Sequence, residues 1–314
     1  MVAVDDALKG RDFTRVADWS RDELLRTIDL ADGLKLAHAA GEEHRLLPGR
    51  TLGMIFEKPS TRTRVSFEVG IWHLGGLGLY LSASDLQLGR GETVRDTATV
   101  LSRYLDAIMI RTFAQSDVEE LARGATIPVI NGLTDSSHPC QALADVMTIR
   151  ERLRRLDGVR LTYLGDGNNV CASLMVAAAK LGMHFTAAVP PGYEPEDGAL
   201  DVARTAAEET GAAVRVTHDP REAAEGAEVL YTDVWTSMGQ EEERERRLRD
   251  LAGYGITGEL LGLAEEDAIV LHCLPAHYGE EITEEILYGP RSAVWDEAEN
   301  RLHAQKALMA LVIR

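Results

Sequence analysis

The chain has 314 residues, enough for two hydrophobic cores of roughly 150 residues each. Its 45% hydrophobic and 27% charged residues are those of a soluble globular protein and exclude a disordered or fibrous one. With 33 Lys and Arg against 51 Asp and Glu the formal charge is −18, which excludes broad electrostatic binding to nucleic acid or an anionic membrane and leaves small molecules as partners.

The first residues carry Asp5 and Asp6 where an export signal needs a basic region and then an apolar one, so no export is expected. No apolar run approaches the roughly 20 residues of a bilayer crossing, and a cytoplasmic location is expected. Ser20 and Glu23 form a capping box ahead of Leu24, Leu25, Ile28 and Ala31 at helical spacing. Strands and helices then alternate: strand TLGMIF (51–56), a helix from about Val65, strand GLYLS (78–82), helix 92–105, strand AIMIR (107–111), a short helix near 117–122 and strand IPVIN (127–131). Helix HPCQALADVMTIRERLRRL (138–156) follows as the soft joint between two halves. Beyond it come strands VRLTYLG, HFTAAVP, AAVRVT, EVLYTDV and AIVLHCL, a charge run QEEERERRLRD read as a solvated helix, and a last amphipathic helix from 299. This order predicts an α/β protein of two domains, each a parallel sheet flanked by helices.

KPSTRTRVSFE (58–68) lies between a strand and a helix. There the unpaired N–H groups and positive dipole end of the helix, the hydroxyls of Ser60, Thr61 and Thr63, and the forked guanidinium of Arg62 suit phosphate oxygens. Capping by Ser60 or Thr61, with Arg62 and Arg64 in surface ion pairs, explains any one residue; the whole cluster at a strand's C-terminal end favours phosphate. In HPCQALAD, His138 and Gln141 share a helical face: the imidazole can donate to a carbonyl oxygen, and the amide can orient an amino group. Cys140 with His272 and Cys273 lacks a four-ligand spacing, so no metal is expected, and the three cysteines, Cys171 included, are read as reduced. YLGDGNNV lacks the third glycine of a dinucleotide loop and reads as a tight turn, with Asn168 and Asn169 left at the strand edge. Asp233 ends another strand, where it can pair with an amine or cap a helix; Cys273 is a ligand contact or a small buried hydrophobe.

In combination, FEKPSTRTRVSFE, DLQLGRGETVRDTATVLSRY, IRTF, HPCQALAD, DVWTSMG and HCLPA resemble the ornithine carbamoyltransferase family, from the first strand to Arg301. The resemblance implies a carbamoyl phosphate domain at 1–137 completed by a returning helix at 297–314, an ornithine domain at 138–296, and a homotrimer or multiple of trimers with active sites between subunits. It implies no cofactor. Carried over by residue, Ser60, Thr61, Arg62 and Thr63 would hold the phosphate; Arg111, His138 and Thr63 the carbonyl oxygen; and Gln141 the carbamoyl amine. Gln87 would come from a neighbouring subunit, with Arg301 beside carbamoyl phosphate and Cys273 and the Leu274 backbone at the reacting centre. Asn169, Asp233, Ser237 and Met238 would surround ornithine, under a flap at about 236–255. Catalysis would fall to Arg111, His138, Asp233 and Cys273; Tyr278 departs from the basic residue of many relatives. The implied reaction gives citrulline and phosphate, serving arginine synthesis or its reverse. Putrescine or an N-acylated ornithine is the alternative acceptor, and aspartate is disfavoured because the loop offers Gln87 and no lysine.

Overall fold

The computed structural model describes residues 6–86, 91–237, 239 and 241–314. Its contacts gather into two compact units, Met1–Met147 with Glu299–Arg314, and Thr148–Ala298.

The first unit opens with α1 (Arg21–Ala39), where the capping box forms as expected: Ser20 accepts from the Glu23 N–H, and Glu23 accepts from the Ser20 N–H. Then come β1 (Thr51–Phe56), α2 (Thr61–His73), β2 (Leu77–Ser82), α3 (Val94–Leu101), β3 (Ala107–Arg111), α4 (Gln115–Gly124), β4 (Val129–Leu133) and α5 (Pro139–Leu153), the last running past Met147. All pairings are parallel, in the order β2-β1-β3-β4. β3 is buried throughout and β1 after its first residue, which accounts for their continuous apolar runs; β2 is a partly exposed edge. α2 starts at Thr61, four residues before the expected Val65, because Ser60 has an extended backbone and its hydroxyl accepts from the Thr63 N–H (3.3 Å). The phosphate-like cluster therefore forms the first turn of the helix.

The second unit continues with β5 (Arg160–Leu164), α6 (Asn169–Lys180), β6 (His184–Ala188), α7 (Asp197–Thr210), β7 (Val214–Thr217), α8 (Pro220–Ala224), β8 (Val229–Thr232), α9 (Arg244–Asp250), α10 (Gly258–Leu261), β9 (Ile269–His272) and α11 (Glu284–Leu287). α12 (Val294–Val312) begins here and passes into the first unit at Glu299. The sheet is again parallel, ordered β7-β6-β5-β8-β9, with Tyr163 and Tyr231 stacked at 5.6 Å in its core. In each sheet the strand order reverses direction once, between β1 and β3 and between β5 and β8. Open α/β sheets bind ligands at the carboxyl ends of strands at such switch points.

Candidate active site

At the β1/β3 switch point the first turn of α2 faces the end of β3, which carries Arg111. Thr63, 1% exposed, is the hub. Its hydroxyl oxygen is approached by Ser60 Oγ (3.1 Å), Arg301 Nη2 (3.2 Å) and, at the limit of hydrogen bonding, Arg111 Nη1 (3.5 Å). Three donors on one hydroxyl exceed its two lone pairs. An anion with several acceptor oxygens matches that donor set better than a threonine does. Arg62 stands half-buried on the same turn, and Thr61 is exposed.

Arg301 reaches this point from α12, 238 residues away in sequence, and is 3% exposed. Its other nitrogens are fixed: Nη1 donates to Gln141 Oε1 (2.6 Å), and Gln305, with its amide oxygen turned inward, accepts from Nη2 and Nε at 3.2 Å each. Gln141 in turn donates to buried Asp145 (2.8 Å), so its amide orientation is set at both ends. His138, beside Pro139 at the start of α5, is 5% exposed. Burial holds its imidazole well below the usual histidine range, and Arg301, Arg111 and Arg62 lower it further. It is thus a neutral N–H donor among cations. Cys140, between His138 and Gln141, donates to the Asn131 carbonyl (3.3 Å), and burial raises its thiol to about 12, so it is a packed thiol.

At the β5/β8 switch point of the second unit, Asp233 follows β8 and is 6% exposed. Cys273 Sγ donates to its Oδ1 (2.8 Å) and Asn168 Nδ2 to its Oδ2 (2.8 Å). Asn168 is also the N-cap of α6, its Oδ1 accepting from the N–H groups of Val170 (3.0 Å) and Cys171 (3.1 Å) and from Tyr163 Oη (3.1 Å). One amide thus anchors a helix and aims a carboxylate. Sequence reasoning favoured Asn169, which opens α6 half-buried, and missed this role of Asn168. The only signal was an Asn at N-cap spacing after a glycine turn. The glycines are geometric: Gly165 has φ +126°, and a Cβ on Gly167 would lie 2.4 Å from the Pro195 nitrogen.

Asp166, in the same turn, pairs with Arg247 (2.7 Å), which also donates to the Trp235 carbonyl (3.2 Å). The charge run read as a solvated helix therefore has a buried member: Arg247 is 8% exposed and ties α9 to the segment that carries Asp233 and Ser237. Burial pushes the Asp166 carboxyl up, against the pull of Arg247. Ser237 is half-buried; Gln87 and Met238 lie outside the described residues. After β9, His272 Nδ1 accepts from the Leu274 N–H (2.8 Å), so Nε2 carries the hydrogen and faces Glu281 (3.2 Å). Asp233, His272 and Cys273 bring possible ligand atoms within 4.8 Å of one another, but both imidazole nitrogens are engaged. Leu274 takes a left-handed backbone (φ 59°), a strained state for a branched residue that this contact holds in place.

Two α/β units, one with a guanidinium-lined anion cradle and one with a carboxylate–thiol pair, define an enzyme that transfers a group from an anionic donor to an amine. The family models agree: residues 11–151 match the aspartate/ornithine carbamoyltransferase carbamoyl-P binding domain, and residues 157–312 match the Asp/Orn binding domain. The chain belongs to the aspartate/ornithine carbamoyltransferase family. It is 58% identical to the ornithine carbamoyltransferase of Oceanobacillus iheyensis, over 98% of this chain and 95% of the relative. It is 54% identical to that of Pyrococcus horikoshii, over 98% and 97%. The solved ornithine carbamoyltransferase of Pyrococcus furiosus superposes with a TM-score of 0.95 at 53% identity, covering 98% of both chains.

Proposed function

We propose that the chain transfers the carbamoyl group of carbamoyl phosphate to the δ-amine of L-ornithine, releasing phosphate and L-citrulline. The observation that carries this reading is the convergence of Ser60, Arg111 and Arg301 on Thr63 at the head of α2, in a chain of this family.

The first unit is assigned the donor. Ser60, Thr61, Arg62, Thr63 and Arg301 take the phosphate; Arg111, His138 and Thr63 take the carbonyl oxygen, and Gln141 the carbamoyl nitrogen. Gln87 of a neighbouring subunit, Cys273 and the Leu274 backbone complete the donor contacts. The boundaries proposed for the two functional domains are 1–137 with 297–314 for carbamoyl phosphate and 138–296 for ornithine.

Asn169, Asp233, Ser237 and Met238 take ornithine. Its δ-ammonium has no lone pair and must lose a proton before it attacks, and Asp233 with Cys273 positions the amine and accepts that proton. Attack on the carbamoyl carbon places negative charge on the former carbonyl oxygen. Arg111 and neutral His138 donate to that charge from fixed positions, the arrangement in which one donor is worth roughly 100- to 1000-fold in rate. The intermediate collapses by breaking the bond from carbon to the bridging phosphate oxygen, and Arg62 and Arg301 stabilise the departing phosphate. Closure of the segment at about 236–255 excludes water.

A cytoplasmic homotrimer, or a multiple of trimers, is the proposed state. Among the described residues no helix is long and apolar enough to cross a membrane. The edge strand β2 and the outer side of α2 expose Leu77 (56%), Leu79, Tyr80 and Val65 (51%), an apolar surface that supports association. Light scattering tests the assembly. The reaction is tested by a colorimetric ureido-product assay with carbamoyl phosphate against L-ornithine, putrescine, N-acetylornithine and L-aspartate. Ornithine is the expected acceptor; preference for putrescine or the acylated amine overturns the acceptor assignment.

A further inference from the structure

The end of α2 opposite the anion cradle, about 18 Å away along the helix, holds side chains the reaction does not use. His38 in the last turn of α1, His44 in the following loop, His73 closing α2 and His303 on α12 gather there, four of the nine histidines of the chain. Ring centroids are separated by 4.9 Å for His38–His73, 6.1 Å for His44–His73, 6.4 Å for His38–His44 and 5.7 Å for His38–His303. Imidazoles that share a tetrahedral ion at about 2.0 Å stand with ring centres about 5 Å apart. The His38–His73 spacing meets this value; the wider His44 spacings require His44 and the exposed His38 to turn inward as the ion binds. His38, His44 and His73 line one cavity of about 530 Å³, with Glu42, Glu43 and Arg45 at its wall.

The ring nitrogens are already sorted. His44 Nδ1 donates to the Glu42 carbonyl (2.8 Å) and His303 Nε2 to Glu299 (3.3 Å), which leaves the lone pair on the other nitrogen of each. Those nitrogens, His44 Nε2 and His303 Nδ1, are buried without a hydrogen-bond partner, and so is His73 Nδ1. A second ring nitrogen that donates to a carbonyl or carboxylate is the usual support of a metal-bound imidazole. Burial, assisted by Lys306, favours the neutral form of three of these rings: His44 is lowered, His73 falls to about 4 and His303 to about 3. Lys306 Nζ is itself buried without a partner, and burial brings it down to about 8, so a cation bound nearby would favour its neutral form.

We infer that His38, His44 and His73 form a binding site for one borderline transition-metal cation such as Zn²⁺, Co²⁺ or Ni²⁺, with His303 and Lys306 lying beneath it. Neutral imidazole nitrogen suits such ions. The ion would tie together α1, the loop after it and α2, and take no part in carbamoyl transfer.

The test is titration of the full chain with Co²⁺ at pH 7.5, read by calorimetry and visible absorption, together with Cu²⁺ quenching of Trp72, whose ring lies 5.4 Å from that of His73. One Co²⁺ per chain is expected, with nitrogen-ligand absorption and no thiolate charge-transfer band. Affinity should fall roughly tenfold or more in His38→Gln and in His44→Gln. Both replace side chains that are not fully buried, and circular dichroism checks that each variant is folded. The Cys273→Ser variant should bind as the parent does, and Trp72→Phe should abolish most of the quenching. Binding that is lost in Cys273→Ser and unchanged in the histidine variants overturns the inference. So does the lack of saturable binding at millimolar Co²⁺.

Discussion

Asn168→Asp separates the two jobs of one side chain. The carboxylate still accepts from the Val170 and Cys171 N–H groups, and its charge suits a helix N-terminus, so the cap on α6 survives. What changes is the contact with Asp233, where a donated N–H at 2.8 Å becomes a second carboxylate oxygen. Removing a hydrogen bond to a charged group costs about 1.5–3 kcal/mol, and two carboxylates at about 4 Å repel by roughly 4 kcal/mol at an effective dielectric of 20. The pair therefore keeps one proton near neutrality and loses part of its hold on a cationic or nucleophilic amine. On the hydrogen-bond term alone, kcat/KM for ornithine falls about 10- to 150-fold. The carbamoyl phosphate KM should stay close to that of the parent, while the melting temperature falls, because a carboxyl kept protonated in the fold ionises freely in the unfolded chain. Initial rates of ureido formation, with ornithine varied at saturating carbamoyl phosphate and read from pH 6.5 to 9.5, measure this. Unchanged ornithine kinetics with a weakened donor KM would refute the reasoning, because Asp233 would then serve the donor.

Other substitutions address the remaining contacts. Arg62→Ala raises the carbamoyl phosphate KM and lowers kcat, while Arg111→Met lowers kcat by roughly 100- to 1000-fold with a smaller change in ornithine KM; steady-state kinetics in both substrates separates the two. Arg247→Met leaves Asp166 buried beside an apolar chain, a change that costs about 3–5 kcal/mol when a buried pair is broken, and it frees the segment after β8, so the ornithine KM rises and thermal stability falls. Calorimetry and ornithine titration check both, and Asp166→Asn in the same background restores part of the stability. His138, His73 and His303 all have folded-state values below the ordinary 6.5, chiefly through burial. The unfolded chain then binds more protons as pH falls below 6.5, so their stabilisation is full above that value and is lost as pH falls toward the folded values. Unfolding free energies from denaturant titrations should drop from pH 7.5 to 5, by up to about 1.4 kcal/mol per pH unit for each histidine, and His138→Gln should flatten the slope.

The sequence made the parallel strands and the residues at their carboxyl ends legible, because strands buried on both faces are continuous apolar runs and switch-point loops carry the polar exceptions. The start of α2 was misplaced because its first turn contains no apolar periodicity; only the Ser60 cap marks it. Arg301 was recognisable through family resemblance, whereas its contact with Thr63 joins residues 238 apart and has no local signal. Asn168 and Arg247 were underestimated for a shared reason. An amide after a glycine turn and an arginine in a charge run look like surface chemistry until the fold supplies the carboxylates Asp233 and Asp166 as partners. The histidine group was invisible for the same cause, since α1, the loop after it, α2 and α12 each contribute one member.

The most direct measurement follows the bond that forms. With ¹³C-carbamoyl phosphate and δ-¹⁵N-ornithine, carbon NMR of the product should show one-bond coupling between the ureido carbon and the labelled nitrogen, with one phosphate released per citrulline. Product without that coupling, or phosphate release that proceeds equally well without ornithine, would contradict attack by the side-chain amine on a donor held at the head of α2.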